Sequence, residues 1–425
     1  MSNYVELSKE RFLHTGHRLT DSEFEQIYNE RLNSPSALKT ELFPPLTDKN
    51  GVQTKQYPIF LTYTRKMVDR MEYLRRNSDL IKEIAERVPP IAQDQFKNSL
   101  LLGEITYTNQ IEGVQTNIGE ISTLIHHATS VNPEKNDHEF RLRSTVRLYI
   151  KTQSKGFIKI QQLGDFRKIY DQLLVGEISK DKMPNGKLFR DTLPDDEVLR
   201  IATATSTVHQ PPTSEAEIAG ALSSLINFMN DGQVPAIIRA LVTHFFFENT
   251  HPFIDGNGRT GRYLLSTYLS REYDSFTGFS VSTAIHEWQS SYYRIFRAAD
   301  KTENRAELTF FVEDFLRILL DQQENVSEAL RDDDHKLTQM SQKIEQAATG
   351  FKDKVTVKEI LFYLAQSKLF ATNMQLAIKD NEIIKLNSDN KISMNRTKAA
   401  LKELEQQGLI KLVSKRPKQH VLEMN

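Results

Sequence analysis

Residues 251–262 read His-Pro-Phe-Ile-Asp-Gly-Asn-Gly-Arg-Thr-Gly-Arg, and this stretch decides how the rest of the chain is read. Two apolar-rich patterns flank it. Before it, Val234 to Phe247 carries Ile237, Ala240, Leu241, His244 and Phe245 at helical spacing. After it, Arg259 to Tyr268 leads Leu264, Leu265, Tyr268 and Leu269 along one face. Gly256-Asn257-Gly258 is therefore expected in a tight turn that opens a helix. Glycine lets the backbone bend sharply and lets a ligand approach. Free N–H groups at a helix start bind anions, and a run of them forms a concave nest for phosphate.

The side chains in the stretch suit the same ligand. Arg259 and Arg262 lie three apart on the new helix, and forked guanidinium groups match phosphate oxygens. Asp255 is a candidate holder of a divalent cation that bridges phosphates, since magnesium usually takes one or two carboxylates plus phosphate and water. His251 titrates near neutrality by its nature and is the candidate general base. The chain has no cysteine, and the stretch has no serine. Direct displacement at phosphorus, run by positioning and charge, fits better than a covalent enzyme intermediate. His244 reads as a structural histidine, and Phe253 as a core plug that fixes the loop.

The stretch resembles the complete signature of the Fic family, HxFx[D/E]GNGRxxR. The resemblance implies an α-helical domain that moves AMP from ATP to a Ser, Thr or Tyr hydroxyl of a target protein, releasing pyrophosphate. It implies that His251 deprotonates the hydroxyl, that Asp255 holds Mg2+, and that Gly256, Asn257 and Gly258 cradle the α- and β-phosphates. Arg259 would contact phosphate and Arg262 the γ-phosphate, with Thr260 and Gly261 completing the ATP-binding stretch. Members with phosphorylating and phosphocholine-transferring activities exist. Asp255 and the Gly258-Arg259 pair favour AMP transfer among these.

Two further segments resemble family features. Thr108-Asn109-Gln110-Ile111-Glu112-Gly113 is similar to the inhibitory motif [S/T]xxxE[G/N]. It falls at the end of an expected helix, Asp94 to Ile111, with Gly113 just past it. The resemblance implies that Glu112 pairs with Arg262 and takes the arginine meant for the γ-phosphate. Gly186-Lys187-Leu188-Phe189-Arg190 and Thr207 to Pro212 resemble the segment leading into a β-hairpin flap that ends in a Pro-Pro pair. Such a flap would hold the target as an added strand, through Val208, His209, Gln210 and Pro211 as target or nucleotide contacts. Ser214 to Glu217 then reads as a capping box for a helix burying Ile218, Leu222, Leu225, Ile226 and Met229. Trp288, Tyr292 and Tyr293 either pack near the adenine or belong to the core.

The 425 residues suffice for two or three domains. The expected fold class is mainly α: a Fic-type helical domain with a small β-hairpin flap, plus a C-terminal winged-helix (α+β) domain. The expected organisation is an N-terminal helical extension at 1–95, with loop near Pro35, Pro44 and Pro45 and helix from about Leu61 to Arg87. A catalytic domain follows at 96–320, with a surface loop at Pro133 to Asp137. A helical linker spans 321–350 and a winged helix 351–425. The net charge of −1 implies no global attraction to nucleic acid or membrane. No apolar leader or bilayer-length run is visible, and with zero cysteines the expected location is cytoplasmic.

From residue 351 the tail holds 14 Lys+Arg and 8 Asp+Glu, a net of +6 against −7 for the rest. Helix Asn395–Gln407, strand Leu409–Val413, a basic turn at Ser414 to Lys418 and strand Gln419–Leu422 follow winged-helix order. Lys398, Lys402, Lys415, Arg416 and Lys418 would meet DNA phosphates, or the module docks proteins or dimerises. The leading expectation is an autoinhibited protein adenylyltransferase using ATP and Mg2+, with self-modification and a homodimer open. Its alternatives are an AMP-removing Fic enzyme that uses Glu112, and a DNA-binding regulator with a nucleotide-sensing core.

Overall fold

The phenylalanine run at 245–247 explains the centre of the fold, because a helix apolar on all sides is stable only when other elements surround it. Helix Ala236–Thr250 buries twelve of its fifteen residues, and Phe245, Phe246 and Phe247 are each no more than 1% exposed. Burying each ring contributes about 1.5–3 kcal/mol. The helix begins after Pro235 rather than at Val234, since a residue before proline is biased to extended backbone. Helix Asn257–Glu272 follows after six residues and buries thirteen of its sixteen. Helices Arg143–Lys155, Leu163–Leu173 and Glu215–Met229 pack around this pair.

This computed structural model describes residues 4–13, 18–48, 52–129, 142–155, 159–192, 201–202, 207–370 and 377–424. The surface loop expected at 133–137 lies outside them. The chain divides into two units, residues 1–78, 107–115 and 141–323, and residues 79–106, 116–140 and 324–425. Both are mainly helical with small antiparallel sheets. No helix among the described residues is long and apolar enough to cross a membrane.

In the first unit the region expected as loop near Pro35 to Pro45 contains strands. Ala37–Lys39 pairs antiparallel with Phe60–Thr62, and Leu46–Thr47 with Gln53–Thr54. The first pair joins segments some twenty residues apart, and all four strands are only two or three residues long, too short for patterning to show them. The buried Glu307 carboxylate fastens this region, taking Arg31 Nη1 at 2.9 Å, the Tyr4 hydroxyl at 2.6 Å and the Thr309 hydroxyl at 2.8 Å. The expected flap strands are Ile201–Ala202 and Thr207–His209, paired antiparallel. At Ser214 half of the expected capping box forms. The hydroxyl accepts from Glu217 N at 3.3 Å, while the Glu217 carboxylate turns to Lys55 Nζ at 2.8 Å, a charged partner that outcompetes the Ser214 amide.

In the second unit, helix Lys354–Phe370 precedes strand Ile378–Lys379, helices Asp380–Asp389 and Met394–Gln406, and hairpin Ile410–Lys415 with Lys418–Leu422. The last strand is central, between Ile378–Lys379 and Ile410–Lys415. This contains the expected helix, strand, basic turn and strand. It adds the short helix Asp380–Asp389 and the two-residue strand before it. Ser393 caps the last helix by accepting from Arg396 N, and Arg396 grips Asp353 through two contacts of 2.8 and 2.7 Å. Lys398, Lys402, Lys415, Arg416 and Lys418 are exposed.

Phe247, fully buried and stacked on Phe166 with ring centroids 5.8 Å apart, tests the central packing. Phe247→Ala is expected to destabilise the first unit by about 3–5 kcal/mol in denaturant unfolding. A loss below about 1 kcal/mol would contradict a packed centre at this ring.

Candidate active site

The six residues between the two buried helices form the floor of the site, and their backbone is fastened at several points. His251 caps the first helix in the left-handed conformation, φ 49°, which non-glycine residues seldom adopt. The buried Arg190 holds it there. Its Nε donates to the His251 carbonyl at 2.7 Å, Nη2 to the Thr250 carbonyl at 3.4 Å, and its own amide to the Pro252 carbonyl at 2.9 Å. Phe253 is fully buried and stacked on Tyr170, centroids 3.8 Å apart, as a loop-fixing plug should be. The Asn257 side chain closes the turn, accepting from Phe253 N at 2.9 Å and donating to Phe253 O at 2.8 Å.

Gly256 caps the second helix with φ 84°, a turn only glycine makes without strain. The first-turn amides of Asn257, Gly258 and Arg259 lie before the helix ladder begins. They are the expected anion-binding groups. A Cβ at Gly258 would collide with Glu112 Oε1, so this glycine is needed for close approach. Thr260 turns inward, its hydroxyl on the Gly256 carbonyl at 2.8 Å, and Gly261 lies under the Glu248 carboxyl.

The two arginines point to different partners. Arg262, 2% exposed, donates from Nε to Thr108 Oγ1 at 2.9 Å, and from Nη2 to Thr108 O at 3.1 Å and Glu112 Oε1 at 2.7 Å. The helix carrying Thr108, Pro90–Ile111, starts four residues before the expected Asp94 because Pro90 suits a first helical position. Gly113 follows with φ 70°. Arg259 pairs with the buried Glu177 at 3.0 Å and reaches Asp255 Oδ1 at 3.4 Å. Lys182 Nζ lies 3.4 Å from Asp255 Oδ2.

A cavity of about 360 Å³ is lined by Glu112, Glu248, His251, Gly258, Arg262 and Tyr292. His251, at its wall, is held as a neutral imidazole. Burial first, then Arg190 and His209, pushes its pKa down to about 3, against the pull of the Glu248 carbonyl and Asp255. His244 is also pushed down to about 3, by burial and then Arg262. It is buried and hydrogen-bonds Tyr292 at 3.0 Å, in keeping with a structural histidine. Tyr292 is buried and Tyr293 half-exposed along the cavity, while Trp288 packs under Arg317 at 4.6 Å.

The expected flap contacts are tied into the protein. His209 is buried, with Nδ1 2.9 Å from Asp300 and Nε2 2.6 Å from the Asn249 carbonyl. Its ring still lines the cavity. The Gln210 amide donates to Thr47 Oγ1 and its carbonyl accepts from Gln53. Pro211 is buried, and the Val208 side chain lies outside the description. Glu177, Glu248 and the His209–Asp300 pair were not found by sequence reasoning, since no spacing links them to the motif. Arg190 was quoted within Gly186 to Arg190, but its hold on His251 needed the fold.

Among the described residues no three His, Asp or Glu side chains converge as a cation site. Asp255, partly exposed, offers one carboxylate with cations already at its oxygens. That fits an ion carried mainly by phosphate and water, not a protein cage.

With the base held neutral, the His251 imidazole is expected to show no titration between about pH 5 and pH 8 by NMR. Its protonated fraction should grow only as pH falls toward about 3. A midpoint near the ordinary value of about 6.5 would contradict a base held neutral.

Residues 160–269 match the sequence profile of the Fic/DOC family. Similar solved structures include a Fic family protein from Desulfovibrio desulfuricans G20, with 18% identity, TM-score 0.49, and coverage of 86% of this chain and 98% of that one. Fic-1 from C. elegans aligns with 17% identity and TM-score 0.41 over 62% of this chain and 72% of that one. A Fic domain containing signaling protein from Bacteroides thetaiotaomicron VPI-5482 aligns with 15% identity and TM-score 0.42 over 61% and 98%.

Proposed function

We propose that the Fic/DOC domain of this chain is a protein adenylyltransferase that moves AMP from ATP to a Ser, Thr or Tyr hydroxyl of a target protein, restrained by Glu112. The observation that carries this reading is the Glu112–Arg262 contact of 2.7 Å, at the wall of the cavity that His251 and Gly258 also line. An arginine in the second turn of an anion-binding helix is a natural phosphate partner. A carboxylate on it both occupies the guanidinium and repels the incoming phosphate.

In the reaction the target hydroxyl oxygen attacks the α-phosphorus, and the bond from phosphorus to the pyrophosphate oxygen breaks. Pyrophosphate leaves with the electron pair, and the hydroxyl proton passes to His251. The neutral imidazole is ready to take it. Amides at the Gly256–Gly258 turn would stabilise the charge that develops on the phosphoryl oxygens. Arg190 keeps the His251 backbone fixed while this happens. Asp255 would hold Mg2+, which when bound offsets phosphate charge.

AMP removal is the second reading. It is favoured by the partial exposure of the Glu112 side chain, 30%, on the cavity wall, where it could orient water. One substitution separates the two. In intact-mass assays with ATP and Mg2+, Glu112→Gly is expected to raise AMP incorporation roughly ten- to hundredfold, the range of a lost charge-assisted hydrogen bond of about 1.5–3 kcal/mol. Glu112→Gly/His251→Ala should show no AMP gain. If Glu112→Gly gains nothing and instead loses hydrolysis of an AMP-bearing protein, removal is the activity and the adenylyltransferase proposal fails.

A further inference from the structure

Two carboxyl groups, Glu112 and Glu248, line the cavity beside Arg262. The arginine is already committed. Glu112 and Thr108 take its Nη2, and Thr108 Oγ1 takes its Nε. Glu248 stands outside this arrangement, and its buried Oε1 has no hydrogen-bond partner among the described residues. That oxygen lies against Gly261, where a Cβ would collide with it. The carboxyl is thus wedged between the last turn of helix Ala236–Thr250 and the first turns of helix Asn257–Glu272.

A carboxylate in this position would be desolvated without a cation of its own, so the neutral acid is favoured. Burial first, opposed by Arg262 and reinforced by Glu112, pushes its pKa up to about 8. A protonated carboxyl gains an O–H donor. Glu112, Arg262, His251, Tyr292 and the His209–Asp300 pair face the same cavity from other parts of the unit, together with Arg297.

We propose that Glu248 is a positioning residue for the nucleotide, donating a hydrogen bond from its carboxylic acid to an anionic oxygen of the ligand in the cavity. The inference rests on the reading that this cavity takes a nucleotide. It makes nucleotide affinity depend on a group that sequence patterning does not mark. Glutamine at 248 keeps shape and donor but does not ionise, and alanine removes the donor.

The test is ATP affinity with Mg2+, by calorimetry on the full chain, from about pH 6 to about pH 9.5, spanning both sides of the Glu248 transition. All variants carry Glu112→Gly, so that Arg262 is free. The Glu112→Gly protein should weaken roughly tenfold as pH rises through the Glu248 transition, which lies lower than in the parent because Glu112 no longer raises it, as the donor becomes a repelling carboxylate. Adding Glu248→Gln should hold the low-pH affinity throughout. Adding Glu248→Ala should give weak, pH-independent binding. The same pH dependence in all three, or full low-pH affinity in Glu248→Ala, would overturn the donor role while leaving the nucleotide reading intact. Loss of binding in Glu112→Gly/Arg262→Ala supports that reading separately. If ATP does not bind to Glu112→Gly at any pH, the nucleotide reading fails and the donor role falls with it.

Discussion

Six residues join two helices that are both almost wholly buried, and the rest of the site depends on satisfying that short connector inside the protein. Its buried part, Pro252, Phe253 and Gly256, cannot turn to water, so the backbone groups there need internal partners. Arg190 takes the carbonyls of Thr250 and His251, and Asn257 closes both backbone groups of Phe253. The left-handed turn at His251 and the glycine turn at Gly256 are held by these bonds and by Phe253 in the core. The same geometry that satisfies the connector puts a neutral imidazole on the cavity wall and opens the next helix at Gly256.

Charge is the second organising constraint. Arg259 and Arg262 are three apart on one helix, yet their environments separate their roles. Arg259 sits in a buried pair with Glu177 and next to Asp255. Arg262 is drawn to Thr108 and Glu112. Breaking a buried pair by removing one partner leaves an unpaired charge that is costly, so Arg262 is held to its partners Thr108 and Glu112.

Much of this was legible in the sequence. The strong apolar periodicity of 236–250 and 257–272 placed both helices within a few residues. The Thr108 to Gly113 motif put Glu112 near a helix end, and the tail pattern led to the terminal hairpin. The N-terminal strands escaped because each is only two or three residues long, and helix Asp380–Asp389 because it is short and largely polar. His209, Gln210 and Pro211 looked like free contacts in the sequence. In the fold their polar groups are partly spent on Asp300, Asn249, Thr47 and Gln53.

The sequence by itself determined the helical class, the turn that gathers amides before a helix, and the chemical types present in the motif: one imidazole, one carboxylate and two guanidinium groups. Those follow from local rules of periodicity and turn chemistry, which act over a few residues. Only the tertiary structure decided which guanidinium meets which carboxylate, that burial and neighbouring charge hold His251 neutral, and that Glu248 faces the cavity. Those outcomes depend on desolvation and on pairs up to 150 residues apart, such as Glu112 and Arg262, and no local pattern encodes them.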